Sequence, residues 1–467
     1  MQGIVLTKKQ QEAVEYEGEQ LLIRGIAGSG KTTVLLKQAH KILTKHKGQS
    51  VALITYNQTL ARYAAELAAL LKSDQLVVKT FHSWAYASLA KNGRKPQVIS
   101  GTSQTDLIMD CINELKKIDP HRFFHESRFE EFLQDEIRWI KGMGTLTRDA
   151  YMKVERIGRG TKVKVDRSDR EKIFDLFERY QSRLQLENRC DYDDYALLLR
   201  QQGVPESQKF DNILIDEAQD LQQVQLQLLK DCAKKRIIIA ADKGQKIYKT
   251  SFSWRDIGVN ITGGRTKILT DSHRSTEQII RLAASLQHHD PLCKNKDDEF
   301  VPPDMPSRQG PEPVIVQCAG YMEEEVFVTN TIAQLRQAHP EWSIGLLSRA
   351  AASLNRYERS LNSKGIDCVQ VKKEGASVLN AGVKLMTLHS AKGLEFDAVF
   401  IIRVREHTIP QIDKTQGEPD EEELAVERRL LYVSMTRSKS VLYMTYYDKP
   451  SRFIAEMNSG FYKHVKA

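Results

Sequence analysis

The 467-residue chain has only six cysteines, and they form no pattern. Cys111, Cys190, Cys232, Cys293, Cys318 and Cys368 are scattered, with no C-x-x-C pair. Scattered thiols argue against a zinc module and for a reducing compartment. His288, His289 and Cys293 lie close together, but a polar surface turn is the simpler reading. No stretch is apolar enough to span a membrane, and residues 1–9 lack the long apolar core of a signal peptide. A cytoplasmic location without membrane contact is therefore expected. No short-period repeat is visible either.

What is present fits an ordinary globular protein. Apolar residues make up 41%, enough to fill real cores. The length allows about three domains, or two with a large insertion. The formal charge of +8 leans toward a polyanionic partner.

The chain is organised around Gly25-Ile26-Ala27-Gly28-Ser29-Gly30-Lys31-Thr32-Thr33. This is G-x-x-x-x-G-K-[ST] between an apolar run, Leu21-Leu22-Ile23, and a helical pattern from Val34 to Ala39. Glycines let the backbone wrap closely around phosphates, and the amides at the next helix start point at the anion. Lys31 is placed to neutralise the β- and γ-phosphates, and Thr32 to offer a hydroxyl to Mg²⁺. The bland alternative is a Gly/Ser-rich turn.

Ahead of it, residues 6–14 read as a capped helix carrying Gln10, whose amide matches an adenine edge or is simply exposed. Val51-Ala52-Leu53-Ile54-Thr55 reads as a buried parallel strand, with Tyr56-Asn57-Gln58-Thr59 at its carboxyl end. Val77-Val78-Lys79-Thr80 is a second strand running into Phe81-His82-Ser83-Trp84. There Phe81 suits base stacking or core packing about equally. Apolar positions at helical spacing then fill residues 96–200, which read as a helical insertion. Its basic stretch, 153–172, includes Arg156, Arg159, Lys162 and Lys164, and is a nucleic-acid groove or a solvated face.

Ile213-Leu214-Ile215 ends in Asp216-Glu217-Ala218-Gln219-Asp220. Asp216 at a strand tip can hold Mg²⁺, and Glu217 can take a proton from an attacking water. The strand Arg236-Ile237-Ile238-Ile239-Ala240-Ala241 leads to Gln245, placed to sense a γ-phosphate, and to Tyr248 and Trp254, candidate base platforms. Lys267-Ile268-Leu269 closes this half. After a Pro-rich loop at 300–313, strands are expected around 314–316, 344–347, 383–387 and 398–402, with 441–444 ending the set. Residues 418–423 read as an acidic solvated loop. The shared strand–helix rhythm points to two similar lobes.

The order of these blocks resembles the UvrD/Rep-like superfamily 1 helicases from Leu6 to Phe453. Gln10, residues 25–33, Thr80-Phe81-His82-Ser83, Asp191-Tyr192-Asp193-Asp194, Asp216-Glu217-Ala218-Gln219-Asp220 and Gln245-Lys246-Ile247-Tyr248 match family blocks. So do His389-Ser390-Ala391-Lys392-Gly393-Leu394-Glu395-Phe396, Glu427-Arg428-Arg429-Leu430-Leu431-Tyr432-Val433-Ser434-Met435-Thr436-Arg437 and Pro450-Ser451-Arg452-Phe453.

The resemblance implies an α/β fold of two RecA-like P-loop lobes with parallel sheets, plus a helical insertion in the first lobe. The implied division is 1–95 with 201–275 for the first lobe, 96–200 for the insertion and 276–467 for the second lobe. ATP and Mg²⁺ would occupy the cleft. Arg274 and Arg437 would reach the γ-phosphate, and Glu395 the ribose. Thr55, Asn57, Phe81, His82, Tyr248, Trp254, Thr387 and His389 would contact single-stranded DNA or single-strand/duplex junctions, with translocation 3′-to-5′.

Several features depart from the family pattern. His273 stands where a tyrosine usually stacks on adenine. Tyr56-Asn57-Gln58-Thr59 differs from the commoner T-F-T-N-K. Tyr248 and Trp254 are unusually far apart. Residues 274–383 are too few for the family's large second-lobe insertion. The competing reading is a DNA-stimulated ATPase serving a protein partner, with little unwinding of its own. A small-molecule P-loop kinase would need neither Arg437 nor a second lobe. A non-catalytic binding module would not need Glu217, Gln245, Arg274 and Arg437 together.

Overall fold

A computed structural model of the chain describes residues 6–70, 75–155, 163–247, 252–271, 274–294, 300–371, 380–411, 419 and 421–467. In the first half, the strands are β1 (Gln20–Gly25), β2 (Val51–Thr55), β3 (Leu76–Thr80), β4 (Gln97–Val98), β5 (Arg189–Cys190), β6 (Phe210–Ile215), β7 (Ala233–Ala241) and β8 (Thr266–Leu269). In the second, they are β9 (Val314–Gln317), β10 (Ser343–Ser348), β11 (Cys368–Gln370), β12 (Gly382–Thr387), β13 (Phe396–Ile401), β14 (Ser438–Tyr446) and β15 (Lys463–Lys466). They form a six-stranded sheet, β3-β2-β6-β7-β1-β8, and a seven-stranded sheet, β11-β12-β10-β13-β14-β9-β15. Every pairing in both sheets is parallel.

The near-continuous apolar runs of these strands follow from burial on both faces. Side chains alternate across a strand, so one run feeds two cores. Leu21, Ile23, Leu53, Leu214 and Ile238 enter one cluster with Val34, Leu35 and Ala39 of the helix Lys31–Lys45. Leu22, Ala52, Ile54, Ile213, Ile215, Ile237 and Ile239 enter the other, with Trp84 and Leu89. The second sheet divides the same way. Ile344, Leu346, Leu385 and Phe400 face one cluster, and Leu347, Met386, Val399 and Ile401 face another. These are the two RecA-like lobes of an α/β fold.

Between β4 and β5 lies a helical body with its own core, including Ile108, Leu133, Ile137, Ile140, Phe174 and Tyr180. Its junction with the first lobe is a buried charge network. Lys141, fully buried, sends Nζ to Asp191 Oδ2 at 2.7 Å and Asp194 Oδ1 at 2.8 Å. Tyr180 donates its hydroxyl to the same Asp191 oxygen at 2.8 Å. Burial opposes the lysine charge, but Asp191 and Asp194 outweigh it and hold its pKa above the usual value. Asp194 opens the helix Asp194–Gln202, which packs on the helix Phe81–Lys91 of the first lobe.

Four short strands escaped the sequence reading, β4, β5, β11 and β15, and one loop was misread. The set does not end at 441–444, because β15 pairs with β9 in register from Lys463 opposite Val314. Its four residues are all exposed, so no apolar run marks it. β11 is likewise short and carries no buried residue. Residues 421–423 belong to a helix, Glu421–Met435, with Glu421, Glu422 and Glu423 in its first turn. Carboxylates there are favoured by the helix dipole.

Replacing Lys141 by Met should lower the unfolding free energy by about 3–5 kcal/mol, because two carboxylates are left buried without their cation. Lys153→Ala, which breaks an exposed pair with Asp149, should cost less than about 1 kcal/mol. Denaturant titration of both variants checks the difference; equal effects would contradict it.

Candidate functional site

A parallel sheet places the carboxyl ends of all its strands on one edge. Here Arg24 lies level with Ala241, Ile54 with Ile215, and Thr55 with Thr80. Residues 25–33, 56–57, 81–82, 216–217 and 242–245 therefore line one rim of the first lobe.

The loop after β1 is shaped by left-handed glycines, Gly28 at φ 76° and Gly30 at φ 78°. A Cβ at Gly30 would also lie 2.8 Å from Gln10 Nε2, which would then have to shift. Lys31 is buried, and its Nζ donates to Gly25 O at 2.8 Å and Ile26 O at 3.0 Å, with Asp242 Oδ2 3.6 Å away. Its partners are thus the loop's own carbonyls, which an entering anion can replace. Ser29 Oγ is buried without a hydrogen-bond partner among the described residues. Ile26 and Ala27 are buried beneath the loop, and Thr33 lies in the first turn of the following helix. This cradle fits a phosphate chain.

Thr32 donates its hydroxyl to Asp216 Oδ2 at 2.6 Å. A hydroxyl and a carboxylate side by side are the oxygen ligands that would hold Mg²⁺ beside a phosphate chain. Glu217 follows at φ 52°, a left-handed conformation that turns the chain sharply after β6. Burial and then Glu217 push the Asp216 carboxyl up to about 6. Burial also raises Glu217, but Lys392, Lys31 and Arg437 outweigh it and hold it below the usual value. Glu217 is therefore kept ionised, as a proton acceptor must be.

Gln10 uses its amide within the protein. Nε2 donates to Ser29 O at 2.9 Å, and Oε1 caps its own helix by accepting from Thr7 N at 2.9 Å. The adenine-edge role read from the sequence would require it to give up these bonds.

The second lobe closes the site. Arg437, fully buried, donates from Nη2 to Gln245 Oε1 at 2.9 Å, across the lobe boundary. Burial, then the like charge of Arg274, push the Arg437 guanidinium down to about 9. Gln245 Nε2 is held by Asp242. Arg274 pairs with Glu395 at 2.6 Å, while its Nε and Nη1 are buried without partners among the described residues. Lys392 Nζ reaches Asp220 Oδ2 at 2.7 Å and Gln245 O at 2.6 Å. His273, Tyr248 and the basic residues Arg156, Arg159 and Lys162 lie outside the described residues.

The expected DNA contacts divide. Asn57, His82, Thr387 and His389 are half-buried on the facing rims, and Asn57 Nδ2 donates to His389 O at 3.3 Å across them. Thr387 Oγ1 is engaged by Ser390. Burial pushes both histidines down to about 4, so they are neutral at physiological pH. Phe81, Trp254 and Thr55 need correcting. Phe81 is 0% exposed and Trp254 6%, both in the first-lobe core, and the Thr55 hydroxyl is buried. Phe81 begins a helix, Phe81–Lys91, whose inward positions are Phe81, Trp84, Ala85, Ser88 and Leu89. Reading Phe81 from its place at a strand end left that 3.6-residue period out of account.

The same period turns His82 and Tyr86 outward, and Tyr86, with Tyr192, is what the sequence reading missed. Tyr86 and Tyr192, 43% and 47% exposed, join an aromatic cluster with His82, Tyr195 and Tyr56. Tyr192 comes from the Asp191-Tyr192-Asp193-Asp194 turn, and its ring centroid is 5.4 Å from that of His82. Asp220, Asp242 and Lys392 were likewise assigned no role from the sequence.

The sequence matches two family models. One, described as the UvrD/REP helicase N-terminal domain, covers residues 6–257, just over half of the chain. The other, the UvrD-like helicase C-terminal domain, covers 371–449. The ATP-dependent DNA helicase PcrA of Leuconostoc citreum is 25% identical over 389 residues, 76% of this chain and 48% of that protein. A probable DNA helicase of Mycoplasma pneumoniae is 25% identical over 96% of this chain and 86% of its own length. The ATP-dependent DNA helicase Rep of Buchnera aphidicola is 37% identical over 121 residues, 22% of this chain and 18% of that protein. The chain thus spans about half the length of the PcrA protein and most of the mycoplasma one.

Phe81→Ala should cost about 3–5 kcal/mol of stability through the cavity it leaves. Tyr192→Ala, at an exposed ring, should cost less than about 1 kcal/mol. Thermal and denaturant unfolding of both variants checks these burial assignments; a well-tolerated Phe81→Ala would contradict them.

Proposed function

The chain belongs to the UvrD/REP helicase family, and we propose that it is an ATP-driven motor that moves along single-stranded DNA 3′-to-5′. The observation that carries this reading is the hydrogen bond from Arg437 of the second lobe to Gln245 of the first. It places a guanidinium from one lobe against the rim that holds Lys31, Asp216 and Glu217 on the other. We also retain the division at 1–95 with 201–275, 96–200 and 276–467, a cytoplasmic location, and single-strand/duplex junctions as substrates. Among the described residues, no helix is long and apolar enough to cross a membrane.

In this reading the backbone amides of residues 25–33 cradle the ATP phosphates, and Lys31 exchanges its loop carbonyls for phosphate oxygens. Thr32 and Asp216 hold Mg²⁺. The ion supplies positive charge that offsets the charge on the β- and γ-phosphate oxygens. Glu217 accepts the proton of the attacking water. Arg437 and Arg274 add charge where it develops in the transition state, and Gln245 reports the γ-phosphate to both lobes. Glu395 is left to the ribose once Arg274 turns to phosphate. Gln10 and His273 are assigned to the base.

On the DNA side, Asn57, His82, Thr387 and His389 line the facing rims. Tyr86 and Tyr192 offer exposed rings on which successive bases stack, in place of Phe81 and Trp254. The neutral rings of His82 and His389 suit stacking and hydrogen bonding, without a charge that varies near neutrality.

A second reading, an ATPase that serves a protein partner and unwinds little, gains support from 274–383. Among the described residues that stretch supplies β9, β10, β11, the start of β12 and their helices, which build the second lobe itself. The family's large second-lobe insertion would need more residues than 274–383 offers. We therefore expect translocation on single strands with poor processivity on long duplexes.

Two experiments test these assignments. Glu217→Gln should bind ATP and DNA but hydrolyse very slowly, and Arg437→Ala should lower turnover on the order of a thousandfold with a smaller change in ATP affinity. Near-normal steady-state ATPase in either variant would sink the site assignment. Single-turnover translocation on strands of both polarities, beside unwinding of long duplexes at one protein per DNA, tests the motor. Tyr192→Ala with Tyr86→Ala should weaken single-strand binding by about tenfold or more. Processive unwinding by the wild type, with binding untouched in the double variant, would reject the DNA side of the proposal.

A further inference from the structure

The chain that leaves β8 crosses from the first lobe to the second and enters the helix Glu277–Gln287, with Arg274 on the way. Part of the Pro-rich loop, residues 304–310, runs beside this crossing. Asp304 N donates to Thr270 O at 3.3 Å, and Glu277 N donates to Arg308 O at 2.7 Å. Gly310 N donates to Gln278 Oε1 at 2.9 Å. A Cβ at Gly310 would lie 2.5 Å from Thr276 Cγ2, so the loop and the crossing approach more closely there than a side chain allows.

The crossing is also bound to the start of β14, directly after Arg437. Ser275 Oγ donates to Ser438 O at 2.6 Å, and Thr276 N donates to Lys439 O at 3.2 Å. Arg308 reaches both partners. Its Nη1 donates to Arg274 O at 3.0 Å and its Nη2 to Ser440 Oγ at 2.7 Å. One guanidinium therefore spans the two segments that carry Arg274 and Arg437. Its nitrogens lie in a rigid planar fork, so two bonds from it fix the separation of their acceptors. The segments need holding, because Arg274 and Arg437 carry like charges that repel. Burial, then that like charge, push the Arg437 guanidinium down to about 9.

We propose that Arg308 is a positioning residue for ATP hydrolysis, one that sets the spacing of the segments presenting Arg274 and Arg437 to the γ-phosphate. The inference rests on the nucleotide reading above and extends it to a residue outside every motif that carries that reading. Arg308 is exposed, so its removal deletes two hydrogen bonds without opening a cavity. It acts through the two arginines, whose charge is needed most in the transition state. Its loss therefore falls on turnover and not on ATP affinity.

Arg308→Ala should lower kcat for DNA-stimulated ATP hydrolysis about tenfold, since misplacing a reacting group by about 1 Å can cost on the order of a hundredfold. KM for ATP should change by less than about twofold, and the melting temperature should match the wild type. Ser440→Ala, which removes the acceptor at the far end of the fork, should also lower kcat at unchanged KM. Arg308→Lys keeps the charge but not the fork and should restore only part of the rate. Spacing matters only while both arginines are present. In an Arg274→Ala background, Arg308→Ala should therefore cost less than about twofold more. Wild-type kcat in Arg308→Ala, full restoration by the lysine, or losses that multiply in the double variant would each overturn the Arg308 assignment and leave the nucleotide site standing. So would a lowered melting temperature in Arg308→Ala with Ser440→Ala at the wild-type rate, which marks a folding defect. If Arg274→Ala and Arg437→Ala both keep the wild-type kcat, the nucleotide reading itself fails, and Arg308 with it.

Discussion

A lysine ammonium from the second lobe, Lys392 Nζ, sits among first-lobe oxygens at 2% exposure, with Asp220 Oδ2 at 2.7 Å, Gln245 O at 2.6 Å and Glu217 Oε2 at 3.5 Å. Removing one partner of so buried a pair leaves the other charge without compensation, at a cost of several kcal/mol. The lobes therefore cannot part at this point without rehydrating charge. Gln245 joins the contact to the rest of the site, because its carbonyl faces Lys392, its side-chain oxygen faces Arg437 and its amide nitrogen faces Asp242. Asp242 in turn lies 3.6 Å from Lys31. A shift at the phosphate loop is thus three polar contacts away from the lobe boundary.

The helical insertion uses the same physics for the opposite end. Lys141 is as buried as Lys392, but all its partners belong to the insertion and to the turn at its exit. Both carboxylates also accept hydrogen bonds within that turn, Asp191 from Asp193 N and Asp194 N, and Asp194 from Asp191 N. A network so fully satisfied makes a rigid joint. It holds Tyr192 beside His82, so the exposed aromatic cluster is set by a junction between two bodies. One buried lysine joins the two lobes, and the other joins the insertion to the turn at its exit.

Close approach completes the picture at the cleft. Gly393, at φ 83°, lets Leu60 of the first lobe come within van der Waals contact of the loop that carries Lys392 and Glu395. Helix Gln58–Leu70 is then a wall shared by both lobes, with Tyr63 packed against the core cluster of the second.

Much of this was legible from residues alone. Apolar runs such as Leu21-Leu22-Ile23 and Ile237-Ile238-Ile239 read as buried parallel strands because a strand packed on both faces has no polar side. The G-x-x-x-x-G-K-T loop and the carboxylates after Ile215 read as a site because local backbone chemistry dictates those residue types. β11 and β15 carried no such pattern, since their side chains are exposed or half-exposed and only the neighbouring strand specifies them. Phe81 and Trp254 were open to a surface role because an aromatic residue serves a core or a base equally well, and burial alone decides between them. The pairing of Lys392 with Asp220, 172 residues apart, left no trace in the chain. Local periodicity and motif spacing determined the strands, the helices and the phosphate loop; which charges face each other across the cleft, and which rings reach the surface, was decided only when two separately folded lobes came together.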